Sequence, residues 1–489
     1  MTNKTLLAVV ALGCPAVWGD VVSVTNSAPV SVAQAEMEES GFWAFDAGAD
    51  FRTRQEIMHN VPSMKNGMMG RGPTSPGYGK SKNMMRFRPR VWAEVKMGDH
   101  WRLYSRLCDE FRWGVNQKKS VRAVTWPGEV VVDNLYLEGK GLFDDRIDLL
   151  VGRRDIYRLY GLDHIFVDGT TGDGSRSVYA DMVTLTWHVD EDSRLDLFGI
   201  LNKDREYMRL GTHRSYDGTQ LTGFAGNDTE MDDWGWGAVW SSKVRDSEGT
   251  NLLDYQLLGI QKNTASFHRR GVKHPRRQVN LLGAKVVPHW TTNFSTPLEA
   301  YGQVGRNGEN DSLSAWAAYA GLHWRDMSKK VSQGEWRPYW ETGLLVFSGD
   351  KDAMNEDGGH HGWDPMWYRG IDDSEMMLYG ANYGVGWWTN MYNLKSCFGM
   401  EFGPGHRLAF QTGPMFAQQK DGCGGGDGMF KGYLNQVRYD FPLWSGEKGG
   451  SLERFRIFGH VLLEHFVPGD YYDTDRPAYF VRWQIDFKF

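Results

Sequence analysis

The sequence predicts an all-β protein: a transmembrane antiparallel β-barrel of about 18 strands, with long extracellular loops and short periplasmic turns. Three observations carry that expectation. The closing stretch, Tyr479 to Phe489 (YFVRWQIDFKF), alternates strictly, with Tyr479, Val481, Trp483, Ile485, Phe487 and Phe489 apolar and Arg482, Gln484, Asp486 and Lys488 polar between them. Such a strand shows grease on one side and water on the other, as a barrel strand between lipid and a wet lumen must. The composition is rich in turn formers and aromatics, with Gly 59, Trp 21, Tyr 21 and Phe 24 against Pro 17. Mean hydropathy is −0.51, and beyond the N-terminus no apolar run reaches the roughly 18 residues of a spanning helix. A chain that crosses lipid without such helices satisfies its backbone only by closing a sheet. The third observation is that connections alternate: Asp144-Asp145 and Asp190 to Ser193 are tight, whereas Asp155 to Ser177 and Glu206 to Glu230 are long and polar.

Taken in order, residues 1–19 (MTNKTLLAVVALGCPAVWG) read as a signal peptide, with Lys4 as the basic end, Leu6 to Leu12 as the apolar core and Val17-Trp18-Gly19 as the cleavage region. A lead over 20–41 follows, and 42–489 is the barrel. Phe42 to Arg54 begins the alternation, with Asp46, Asp50, Arg52 and Arg54 on the wet side. Arg86 to Met97 resumes it, and Gly98-Asp99 predicts a two-residue hairpin turn into a returning strand, Trp101 to Trp113, with Arg102, Tyr104, Arg106, Glu110 and Arg112 inward. The pattern returns in Val130–Gly139, Arg146–Arg153, Val178–Val189, Arg194–Asp204, Trp234–Lys243, Leu252–Asn263, Val279–Trp290, Leu298–Arg306, Leu313–Trp324 and Glu335–Ser348. It ends with Leu394–Phe402, Arg407–Gln418, Phe430–Asp440, Arg454–Phe466 and the terminal strand. Met376 to Thr389 would make the count odd, so it is assigned to a long loop, Gly349 to Met391, that folds back onto or into the mouth.

Formal charge is −6, too mild to name a partner, but its distribution is informative. By parity Arg52, Arg54, Arg86, Arg88, Arg90, Arg102, Arg106, Arg112, Arg454, Arg456 and Arg482 point inward on the first and last strands, which become neighbours when a sheet closes. Such a wall concentrates anions and repels cations, and the planar guanidinium fork suits carboxylates. The acids collect in loops, at 228–233, 350–357 and 372–375. His360-His361 beside Asp357 and Asp364 is read as solvated loop charge, with no metal site. The basic run His268 to Arg277 lacks interleaved aromatics, which argues against nucleic acid and for anionic glycan or lipid phosphate. Cys108, Cys397 and Cys423 have neither disulfide nor metal spacing.

Several short motifs together resemble the alginate export porin family: Phe87-Arg88-Pro89, Gly152-Arg153-Arg154, Arg454-Phe455-Arg456, Pro468-Gly469-Asp470-Tyr471 and the closing strand. The resemblance implies an 18-stranded barrel, an arginine-lined constriction for uronate-type carboxylates, and gating by one outer loop and one periplasmic turn. Carried over by motif, Arg88, Arg153 and Arg454 would line the constriction; parity adds Arg90, Arg106 and Arg456. Phe441 to Glu453 would be the periplasmic plug and Gly114 to Glu129 the outer loop. Asp133 stands where the family has arginine, and Gly380 to Asn390 lacks the arginines of that region, which makes the pore less positive.

The function expected is an outer-membrane channel, not an enzyme and without a cofactor, that passes anionic oligo- or polysaccharides or small carboxylates by facilitated diffusion. Its partners would be that solute, outer-membrane lipid and lipopolysaccharide, and periplasmic export proteins. Two other readings stand beside it. A barrel lipase or protease would need a serine at strand positions matched to His188, His289 or His323, and a soluble secreted glycan-binding β protein would have no lipid-facing band.

Overall fold

Alternation along each strand sorts side chains to two faces, and hydrogen bonding closes the resulting sheet on itself. The computed structural model describes residues 43–60, 81–114, 130–155, 160, 179–202, 209–210, 232–269, 272–308, 311–352, 359–367, 374, 376 and 389–489. The expected signal peptide and lead, and the outer loop at 115–129, lie outside these.

The first nine barrel strands are β1 (Trp43–His59), β2 (Ser81–Met97), β3 (Trp101–Cys108), β4 (Val130–Gly141), β5 (Ile147–Asp155), β6 (Tyr179–His188), β7 (Ser193–Asn202), β8 (Asp233–Arg245) and β9 (Asn251–Thr264). The remainder are β10 (Arg277–Thr291), β11 (Leu298–Asn307), β12 (Ser312–Arg325), β13 (Trp336–Phe347), β14 (Met391–Phe402), β15 (Arg407–Phe416), β16 (Phe430–Ser445), β17 (Arg456–Pro468) and β18 (Ala478–Lys488). Each pairs antiparallel with its neighbour, and β18 pairs with β1 from Asp50↔Lys488 to His59↔Tyr479. The result is a closed 18-stranded antiparallel barrel. Phe111–Gly114 prolongs β3 along β2, and Arg209–Leu210 and Phe294–Ser295 are short additions to the same sheet.

The start of β1 and the end of β18 share one rim, where most connections are brief: 98–100, 142–146, 189–192, 246–250 and 403–406. The long connections occupy the other rim. The Gly98-Asp99 turn has three residues, not two, because Met97 pairs with Trp101 and His100 joins the turn. At 141–145 the chain bends through positive φ at Gly141, Phe143, Asp144 and Asp145, a conformation that glycine and aspartate accept far more readily than phenylalanine. The outer surface is apolar, with Leu257, Leu282 and Val304 at 53, 73 and 61% exposure. Such a band is the lipid contact of an outer-membrane barrel.

The inner face departs from the expected uniformly wet lumen. From β5 to β13 it is largely apolar: Leu150, Met182, Phe198, Ile200, Val239, Leu258, Ile260, Leu281, Leu313 and Leu345 are all buried inside. These strands are greasy on both faces because the connection between β13 and β14 packs against them from within. β13 pairs directly with β14, so no barrel strand intervenes. In that connection His360 forms a parallel bridge to Leu313, and Trp363, Met366, Trp367 and Met376 are buried in the interior cluster. Trp363 stacks on Phe347, and Trp367 meets Phe198 edge to face. Polar clasps fix both sides. Gln303 exchanges two hydrogen bonds with the Asp364 backbone at 2.7 and 2.9 Å, and Lys262 donates to the Met366 carbonyl at 2.6 Å. On the far wall Glu464 accepts from Ser374 Oγ and Met376 N. The described residues of this connection therefore meet both walls of the lumen. Two of its acids are not solvated loop charge: Asp350 and Asp364 are buried, and Arg277 from the basic run pairs inward with Asp364 at 3.1 Å. Asp352 is exposed, as expected of a loop acid, and Glu356, Asp357, Asp372, Asp373 and Glu375 lie outside the described residues. Among the described residues no group of three or more candidate ligands could hold a metal ion.

Candidate functional site

Barrel closure brings β18, β1 and β2 side by side, and their inner faces form horizontal rungs. Highest is Arg482–Glu56–Met84, then Gln484–Arg54–Arg86, then Asp486–Arg52–Arg88, then Lys488–Asp50–Arg90. In two adjacent rungs arginine faces arginine across the strand pair. Like charges directly opposite destabilise a sheet, so acids bracket them from above and below. Glu56, fully buried, takes Arg482 at 2.8 Å, Arg54 at 3.0 Å and Arg86 at 3.1 Å. Arg86 also binds Glu110 at 3.0 Å. Below, both oxygens of Asp50 accept from Arg90 Nε at 2.8 and 2.9 Å. Arg106 continues the line on β3, held by Asp133 at 2.8 Å and Asp155 at 2.7 Å. Asp133 thus neutralises a lumen arginine, which is the physical content of the departure noted at that position.

Arg88 differs from its neighbours. Its side chain is 4% exposed, and among the described residues its one ion pair is Asp50 at 3.9 Å and Nε and Nη1 meet no hydrogen-bond partner. A buried guanidinium with two idle nitrogens is costly by about 1–3 kcal/mol or more, and an anion of the right shape removes that cost. Around it, Arg52, Arg54, Arg86, Arg88, Arg90, Arg106, Arg482 and Lys488 stand against Asp50, Glu56, Glu110, Asp133, Asp155 and Asp486, so cations are in excess.

Toward the periplasmic rim the same wall becomes aromatic. Trp92, Tyr104 and Tyr136 stack face to face, with centroids 6.1 and 5.3 Å apart. Gly48 lies opposite Trp92 in register, and a Cβ there would come within 2.5 Å of the indole ring. Arg102 lies over Tyr104 and Tyr136 and is tied to Glu94 and Glu138 at 3.1 and 2.6 Å.

Of the six residues singled out from the sequence, Arg88, Arg90 and Arg106 meet in this wall. Arg454 reaches the lower end of the same wall from the turn before β17. It pairs with Asp46 at 2.8 and 3.1 Å, and its guanidinium lies over the Trp92 ring at 5.9 Å. β18 ends at Lys488 while β1 extends down to Trp43, so Arg454 also bridges the seam beneath the end of β18. Arg456 opens β17 opposite Lys488 and faces inward by parity with the buried His460 and Leu462. Arg153 sits apart from the seam. The alternation breaks at Gly152 (φ +131), and Arg153 is consumed by Asp181 at 2.7 Å, the Val132 carbonyl at 3.1 Å and the Tyr179 ring at 4.3 Å. The expected plug, Phe441–Glu453, prolongs β16 to Ser445 and then turns with Leu443, Trp444 and Leu452 exposed. Sequence reasoning missed Glu56, Trp92 and Tyr136. Trp92 was within reach, since it shares parity with Arg90 and Glu94.

No protein-family model and no curated protein matches this sequence. Among solved structures it is similar to OccK5 (OpdH) of Pseudomonas aeruginosa, with TM-score 0.52 and 10% identity over 92% of this chain and 99% of that one. It is similar also to OccK7 (OpdD) of the same organism, with TM-score 0.50 and 11% identity over 91% and 98%. The outer membrane protein opdK, again from that organism, gives TM-score 0.49 and 10% identity over 91% and 99%. The fold is that of an outer-membrane porin. At such identity the likeness speaks for architecture alone. The barrel belongs to the cell outer membrane, where a closed sheet with a lipid-facing apolar band is at home.

Proposed function

We propose that this porin-fold barrel is a channel passing small carboxylate-bearing solutes, anionic saccharides foremost, by facilitated diffusion along its arginine-lined seam. The observation that carries the reading is the Arg52–Arg88 rung. Two like charges face each other in the lumen wall, and the nitrogens Nε and Nη1 of Arg88 await an acceptor. An incoming carboxylate offsets the facing charges and gives these nitrogens an acceptor. The aromatic strip of Trp92, Tyr104 and Tyr136 supports sugars among carboxylates, because flat rings give the apolar face of a pyranose something to lie on. The segment packed inside the lumen favours monomers and short oligomers over a polymer such as alginate.

The test is a planar bilayer with a salt gradient. The reversal potential should show chloride preferred over potassium, and galacturonate or glucuronate should block ion current at concentrations where neutral glucose does not. A cation-preferring pore, or equal block by neutral and acidic sugars, removes the reading.

A further inference from the structure

Polar side chains facing lipid are costly, so a group of them on the outside of a barrel calls for a reason. Leu257, Leu282 and Val304 establish which parity of β9, β10 and β11 faces out. On that parity, toward the extracellular rim, stand Gln261, Asn280 and Gln278, beside Trp234 and Trp236 of β8. Trp236 Nε1 donates to Gln261 Oε1 at 3.0 Å, Gln261 Nε2 to Asn280 Oδ1 at 3.0 Å, and Asn280 Nδ2 to the Val304 carbonyl at 3.2 Å. One rung higher, Gln278 pairs in register with Arg306, which is exposed. Arg276 lies just before β10 and is also exposed; its guanidinium covers the Trp234 ring at 5.7 Å. Its neighbour Arg277 is turned inward to Asp364.

The seam carries the same rung without the cations. There Trp483 Nε1 donates to Gln55 Oε1 at 2.8 Å and Gln55 Nε2 to Asn83 Oδ1 at 2.9 Å, but the next outward residue on β1 is Ile57. A Trp–Gln–Asn rung is thus a general way to close amide valences at the edge of the lipid. The β8–β11 face adds two arginines and a second tryptophan to it.

We propose that this face docks the phosphorylated glucosamine headgroup of a lipopolysaccharide molecule in the outer leaflet. Arg276 and Arg306 take the phosphate charge. The Trp234 and Trp236 rings lie against the sugar and the first acyl methylenes, at the depth where amphipathic indoles settle. The amide rung below presents a polar step to the acyl linkages.

Native mass spectrometry of the purified full-length barrel tests this with bisphosphorylated lipid A, its dephosphorylated form and phosphatidylglycerol as three separate probes. Lipid A should be retained preferentially. Arg276→Gln combined with Arg306→Gln should lower its bound fraction about tenfold or more, while the heat-dependent gel shift of a folded barrel persists. Gln55→Leu at the seam should leave lipid A retention unchanged. Equal retention of dephosphorylated lipid A or phosphatidylglycerol, or undiminished binding by the folded double variant, overturns the proposal.

Discussion

Arg52 and Arg88 face each other in register on β1 and β2, with Asp486 on the other side of Arg52 and Asp50 one rung below. On the proposed reading the arrangement serves an incoming anion more than it serves stability. It follows that Arg88→Ala should weaken selectivity far more than it weakens the barrel. The expected outcome is a reversal potential shifted toward that of a non-selective pore, with thermal unfolding within about 1 kcal/mol of the parent, since relief of like-charge repulsion offsets the lost packing. A large loss of stability with unchanged selectivity would show Arg88 to be structural.

Glu56 has the opposite character. It is the common acceptor for Arg54, Arg86 and Arg482, and its removal leaves buried positive charge uncompensated. Glu56→Gln should destabilise the folded barrel by about 3–5 kcal/mol, seen as a lower urea midpoint for folding into lipid vesicles.

Arg454→Ala should do little to either quantity. The Arg454–Asp46 pair is partly exposed at the periplasmic rim, where such pairs contribute about 0–1 kcal/mol. Anion preference within error of the parent, measured beside Arg88→Ala in the same bilayers, separates a seam clasp from a pore residue.

The segment packed inside the lumen gives a pH dependence. Burial, reinforced by Arg277, holds His360 below its ordinary value of 6.5 even though Asp350 lies 3.3 Å away. Burial would raise Asp364, but Arg277 and Lys262 outweigh it and hold the carboxyl below the usual carboxylate range. The docked segment therefore prefers neutral His360, while a released segment takes up its proton near 6.5. Docking is strongest above that pH and weakens as pH falls below it, whereas the Arg277–Asp364 pair persists to lower pH. Protection of the amides around Trp363, taken relative to their intrinsic exchange rates at each pH, should fall between pH 7 and pH 5, and His360→Gln should abolish the change.

Trp92→Ala tests the aromatic strip. Block by an acidic sugar should weaken several-fold while chloride preference stays, because the ring stacks on Tyr104 and carries no charge. Equal loss of block by a non-sugar carboxylate would argue that the strip only shapes the wall.

Much of this was legible in the chain. Period-two alternation and the even number of strands pointed to a closed sheet, and parity placed Arg88, Arg90 and Arg106 inside. What stayed hidden depended on partners remote in sequence. Nothing near Asp46 announces that Arg454 will reach it beneath β18, and nothing near Glu56 shows that Arg482 arrives from the far end of the chain. The greasy inner wall of β5 to β13 was obscured for the same reason. Leu258 and Ile260 have an apolar partner inside the barrel only because Trp363 and Trp367 come down from a loop. Arg153 came from a motif and not from alternation, and nothing in that motif shows that Asp181, the Val132 carbonyl and Tyr179 would surround its guanidinium.

The charged rungs are built from the first two strands and the last one. Lys488 and Asp486, the last inward side chains of β18, belong to them, so a nascent polypeptide that still lacks its closing hairpin has these rungs incomplete whatever its other strands have done. If the proposed function holds, selectivity is then the last property the barrel acquires during its biogenesis, and a partly inserted intermediate discriminates poorly among solutes.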